Sequence, residues 1–188
     1  MPAESMKMAN KLAFIDLDGV VANCDARFAL ADSIASSNFP HTSKDWARAK
    51  WHNVFMPDRV SLDTLIPGAY EAIRKIAQEY TVIYLTSRPE HMREATTVWL
   101  KSHGLYGMLE QLFMKPAPFT DNFAKTVPWK AGTIHQIAYA YSATEVLVID
   151  DETMNLDELQ KYTTPFAMKY YTSLAMEDHE DLDDIRPF

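Results

Sequence analysis

Positive charge is scarce in this chain: 18 lysines and arginines stand against 26 aspartates and glutamates, a formal net charge of -8. That balance excludes a strong grip on long duplex backbone, which depends on many cationic side chains displacing counterions. A local basic pocket for a small anion, or for the end of a strand, is still allowed. Cysteine is nearly absent. The single Cys24 rules out an intrachain disulfide and fits a reducing compartment. No apolar run approaches the length of a bilayer span, and the opening MPAESMKMANK has no apolar stretch of the secretory kind. A cytoplasmic location without membrane contact is therefore expected. The six histidines show no metal-ligand spacing. There is no internal repeat or low-complexity segment, and the acidic EDHEDLDDIRPF reads as a solvated end.

What is present is a regular alternation. KLAFIDL, TVIYLTS, QLFMK and EVLVIDD read as short buried strands, with PFAMKY as a further one. Between them lie helical patterns: IPGAYEAIRKIAQEY, EHMREATTVWLKSHG, WKAGTIHQIAYAY and NLDELQKY. Alternating strands and helices predict an α/β fold, a Rossmann-like parallel sheet with helices on both faces. Residues 24–64 are too long for an ordinary connection. They read as a small helical cap inserted after the first strand, with residues 1–23 and 65–188 as the core. Trp46, Trp51, Phe55 and Met56 are expected to form the cap's own core, and Trp129 to be near the rim.

In sheets of this kind ligands bind beyond the carboxyl ends of the strands. Those ends carry Asp16 and Asp18, Thr86 to Arg88, Lys115, and Asp150 with Asp151. Four acids on one rim repel unless a cation sits among them, and hard oxygen donors favour Mg²⁺. A carboxylate beside such an ion can attack an anionic phosphate, and a second acid two residues on can move the proton. Phosphoryl transfer also needs donors for the equatorial oxygens. Thr86 with neighbouring Ser87 offers a hydroxyl and backbone N–H groups, and Lys130 a point charge near a helix start, with Lys115 as rival. Each feature has a plainer reading: DLDG as a turn after a strand, the second acidic pair as a helix N-cap, Arg88 paired with Glu90 or Glu94, and Arg27 with Asp25.

The order DLDGV, LTS, a lysine some twenty residues before VLVIDD, and VLVIDD itself resembles the haloacid dehalogenase (HAD) superfamily over nearly the whole chain. The resemblance implies Asp16 as the nucleophile of an aspartyl-phosphate, Asp18 as general acid and base, and Thr86 and Lys130 as phosphoryl holders. It implies Mg²⁺ on Asp16, the Asp18 carbonyl and an acid of the Asp150–Asp151 pair, with Asp151 as the direct ligand and Asp150 in support. An acid at position 18 points to the phosphatase branch. LTSRPEHMREATTVWLKSHGL followed by LFMKP is similar to the phosphatase domain of phage polynucleotide kinases, where arginines match Arg27 and Arg88. DGVVANC and LIPGAYEAI resemble 5′(3′)-deoxyribonucleotidases. There is no kinase P-loop. The expected substrate is a small phosphate ester, a nucleoside monophosphate or the terminal phosphate of an oligonucleotide, with Arg27 and Arg88 as substrate contacts. A phosphatase of another metabolite, such as a sugar phosphate, and a non-catalytic binding domain on the same fold are the alternatives.

Overall fold

The computed structural model of the protein describes residues 10–116 and 125–174. The opening stretch up to residue 9 and the acidic end, on which two of the expectations above rest, lie outside the described residues.

Five strands form one parallel sheet in the order β5-β4-β1-β6-β7: β1 (Lys11–Ile15), β4 (Thr81–Pro89), β5 (Leu109–Lys115), β6 (Glu145–Ile149) and β7 (Ala167–Tyr171). Each is the apolar run picked out in the sequence. The runs of β1, β4 and β6 lack alternation because both of their faces are covered, whereas the edge strand β7 is only partly buried. On β1, Ala13 and Ile15 face one core with Ile73 and Ile76 of α3 (Ala69–Ile76) and Trp99 and Leu100 of α4 (Arg93–Ser102). Leu12 and Phe14 face the other, with Ile134 and Ile137 of α5 (Thr126–Ala140) and Leu156 and Leu159 of α6 (Thr153–Leu159). Trp129 packs against this second core and is not among the residues that line the rim cavity described below.

The segment after β1 holds α1 (Asp25–Asn38), α2 (Lys44–Val54) and a 3₁₀ turn at Pro57–Leu62. Helix α2 starts where the sequence places its cap: Ser43 Oγ accepts the Trp46 N–H at 3.0 Å. Helix α1 packs on α2, and the 3₁₀ turn packs on α4. A feature not read from sequence closes the segment at its base. Two-residue strands β2 (Ala22–Asn23) and β3 (Thr64–Leu65) pair antiparallel, so chain entry and exit are joined. Such a short ladder has no periodicity to show in a sequence. The expected aromatic core of the segment also differs. Its buried apolar side chains are Cys24, Ala31, Ala35, Val54 and Val60, whereas Trp46, Trp51, Phe55 and Met56 are only partly buried. Trp46 is near the surface, its ring tilted against His41 and its indole N–H donating to Ser36 Oγ.

Candidate active site

The turn after β1 sets the geometry. The N–H groups of Val21 and Ala22 both donate to the Leu17 carbonyl, at 2.9 and 2.8 Å, and Gly19 N–H donates to Ala22 O at 3.0 Å. Gly19 has φ +81°, in the left-handed region. A Cβ there would also stand 2.1 Å from Asp151 Oδ2. The turn thus lies directly against the end of β6, and only glycine permits that approach.

Asp16, Asp18, Thr86, Ser87 and Asp151 all line one cavity of about 460 Å³ at this rim. Its polar floor continues to Glu152. Phe28, Trp51, Phe55 and Ile66 form an apolar wall. Trp51 lies edge-on to Phe28 and stacks on Phe55, with centroids 5.8 and 5.6 Å apart. Two of the aromatic side chains expected to fill the inserted segment therefore face the cavity instead.

Beneath the floor, Lys130 Nζ lies 2.6 Å from Asp16 Oδ2 and 2.8 Å from Asp150 Oδ2. Lys130 comes from α5, and it is the amine that meets the acids; its sequence rival Lys115 is buried at the end of β5. Asp16 Oδ1 accepts the Leu17 N–H at 2.8 Å. Asp150 is fully engaged: besides Lys130 it accepts the Glu152 N–H and the Asn155 side-chain amide. Asp151, by contrast, is exposed to the cavity. Burial raises the Asp16 carboxyl well above its ordinary pKa, and Lys130 offsets this only in part. Burial and then Asp150 also raise Asp151. Lys130 is itself buried, yet Asp16 and Asp150 hold it charged, with its pKa raised.

One carboxylate oxygen each from Asp16, Asp150 and Asp151 lie within 4.8 Å of one another. Three hard donors facing a single ammonium suit a hard divalent cation such as Mg²⁺. A second acidic group, Asp18 with Asp63 and Cys24, is also close enough to hold an ion, but two guanidiniums already fill it. Arg88 Nε donates to Asp18 Oδ1 at 2.7 Å and Arg27 Nη2 to Asp18 Oδ2 at 2.9 Å. Burial would raise the Asp18 pKa, but Arg88 and then Arg27 outweigh it and hold the carboxyl well below the usual range.

The structure replaces the surface-pair reading of Arg27 with Asp25 and of Arg88 with Glu90 or Glu94. Both arginines are 0% exposed and neither lines the cavity. They sit behind Asp18, and Glu90 pairs with Arg93 instead. The β4–β5 ladder slips register between Thr86 and Pro89, and Arg88 lies in that slip. Sequence reasoning also missed Asp63 and Asn155. Asp63 has no signal in the sequence, because the need for a second carboxylate shows only once Arg27 and Arg88 are seen to be buried.

No protein-family model matches the sequence, and no curated protein matches it. Solved structures do match its fold. A haloacid dehalogenase-like family hydrolase from Streptococcus pneumoniae aligns over 87% of this chain and 84% of its own, at 15% identity and a TM-score of 0.60. A protein from Clostridium difficile described as a phosphatase aligns over 82% of each chain, at 11% identity and TM-score 0.62. YfnB from Bacillus subtilis, described as a HAD-hydrolase and bound to magnesium, covers 86% of this chain and 88% of its own, at 14% identity and TM-score 0.52. The chain therefore shares the α/β fold of HAD-superfamily hydrolases.

Proposed function

We propose that the protein is a Mg²⁺-dependent phosphomonoesterase that works through an aspartyl-phosphate on Asp16. One observation carries this reading. A carboxylate with an ammonium at 2.6 Å lies on the floor of a rim cavity, beside Asp151 and two residues before Asp18. The shared fold with hydrolases described as phosphatases supports it.

In this reading Asp16, Asp151 and the Asp18 carbonyl hold Mg²⁺, with Asp150 in support. When bound, the ion supplies the positive charge that lets an anionic phosphate approach an anionic nucleophile. Lys130 keeps Asp16 oriented and favours its ionised form against the effect of burial, and with Thr86 and Ser87 it takes up the equatorial phosphoryl oxygens. An Asp16 oxygen forms a bond to phosphorus as the bond to the leaving oxygen breaks, and Asp18 gives that oxygen a proton. Arg27 and Arg88 keep Asp18 ionised at rest. A monoprotonated phosphomonoester, the form present below its second pKa of about 6, supplies the proton that Asp18 passes on. In the second half Asp18 takes a proton from the attacking water and phosphate leaves.

The inserted segment acts as the cap, 24–64, over a core of 1–23 and 65–188. Its aromatic wall and the cavity size support a leaving group with a flat apolar face, which favours a nucleotide over a sugar phosphate. The intact pair Asp16 and Asp18 speaks against a non-catalytic binding domain. Phosphate release from nucleoside monophosphates, 3′-phosphorylated oligonucleotides and sugar phosphates, with Mg²⁺ and with excess chelator, tests the reading. Release from nucleotides that stops with chelator is expected; no release from any of them overturns it.

A further inference from the structure

Asp63 is a buried acid with no place in the scheme above. It lies at the end of the inserted segment, 36 residues from Arg27 and 25 from Arg88 in sequence. Its side chain is 0% exposed. Oδ1 accepts Arg27 Nε at 2.8 Å and Oδ2 accepts Arg88 Nη2 at 2.7 Å. The same two guanidiniums hold the two oxygens of Asp18. The four side chains thus close a ring, Asp18–Arg27–Asp63–Arg88, in which each charge touches two of opposite sign. Only Asp18 opens from the ring onto the cavity, with 26% of its side chain exposed.

The ring is anchored from behind. Asp63 N–H donates to Val60 O at 3.1 Å, and its carbonyl accepts the Trp99 indole N–H at 3.0 Å. Trp99 also lies under the Arg88 guanidinium, 5.9 Å from ring centroid to Cζ. Arg27 is held further by Val54 O and Arg88 by Thr96 Oγ1. Stability alone does not call for such a ring, because well-packed apolar side chains commonly serve a buried site as well or better. What the ring does is fix the plane of one partly exposed carboxyl.

We propose that Asp63 is a positioning residue for proton transfer, holding Arg27 and Arg88 so that they aim Asp18 at the leaving oxygen. The inference rests on the acid role of Asp18 given under the proposed function. Without the Asp63 charge, two buried guanidiniums share a single carboxylate. They relieve the excess by moving toward water, and Asp18 loses its fixed plane.

The signature is dependence on the leaving group. Up to phosphoenzyme formation, an alkyl phosphate needs the donated proton, whereas 4-nitrophenyl phosphate releases a stable anion without it. Rate over Michaelis constant reports that half-reaction alone. Asp63→Asn is expected to lower kcat/KM for a nucleoside monophosphate about ten- to a hundredfold, and for 4-nitrophenyl phosphate by about threefold or less. Asp18→Asn should show the same ordering more strongly. Trp99→Phe removes the donor to the Asp63 carbonyl and trims the ring under Arg88 while leaving all four charges of the ring in place, and should give the ordering at about threefold, which keeps the test open if Asp63→Asn fails to fold. Equal losses on both substrates, or no loss on either, in Asp63→Asn or in Trp99→Phe overturn the positioning role. If Asp18→Asn itself shows no ordering, the acid role falls and the inference falls with it. Ordering in Asp18→Asn alone overturns only the inference.

Discussion

Two carboxylates two residues apart, Asp16 and Asp18, live in opposite electrostatic worlds. Around Asp16, three carboxylates meet one ammonium, so the cluster keeps two negative charges when all are ionised. Around Asp18, two carboxylates meet two guanidiniums and the charges cancel. The first cluster keeps an excess of negative charge that a divalent cation would offset. The second is balanced within itself. Spacing alone assigns both acids to one rim, but only their partners show that one sits amid uncompensated negative charge and the other is braced.

The largest expected effect comes from breaking the open cluster at its centre. Asp16→Asn keeps the size of the side chain and removes the attacking oxygen. Phosphate release should fall to background, a loss of at least about a thousandfold, with circular dichroism unchanged. Breaking the closed cluster at its exposed end should do less. Asp18→Asn should cost about a hundred- to ten-thousandfold in kcat/KM on an alkyl phosphate and far less on an aryl one. Near-equal effects of these two substitutions on both substrates would erase the distinction between the clusters.

Next in size is the metal requirement. Asp151 faces the cavity with no side-chain donor on it among the described residues, while Asp150 already meets Lys130 and Asn155. Asp151→Ala should therefore raise the Mg²⁺ concentration for half-maximal activity by about tenfold or more, and Asp150→Ala by less. A magnesium titration of the two variants decides it. Ca²⁺ should inhibit, because its larger and looser shell holds the phosphate poorly for in-line attack. The smallest effect is on stability. Gly19→Ala puts a methyl into the left-handed turn and against Asp151, and should cost about 1–3 kcal/mol in urea unfolding. A neutral result would mean that the β1 turn and Asp151 are not packed as described.

The parts legible in sequence were those written locally. The parallel sheet could be read because β1, β4 and β6 are continuous apolar runs, each ending in a polar residue at the same rim. Gly19 and the acids sit beside those runs, and Lys130 lies on a recognisable helix. The closed cluster could not be read, because it joins Asp18, Arg27, Asp63 and Arg88 across the inserted segment and the β4 edge. Asp63 stands between Leu62 and Thr64 with no motif around it. The arginines were visible, but their burial was not, since long cationic side chains are exposed in most settings. The paired strands β2 and β3 escaped for the same reason: each is two residues long and is defined by its distant partner.

The central claim is that Asp16 carries the phosphoryl group. The most direct measurement is acid quenching during turnover with Mg²⁺ and an aryl phosphate, in the wild type and in Asp18→Asn, followed by peptide mass spectrometry. A phosphoryl group on the peptide at Asp16 is predicted, accumulating further in Asp18→Asn, where the attacking water has lost its base. Steady turnover with no phosphorylated peptide in either protein, or with the label on another residue, would contradict the account.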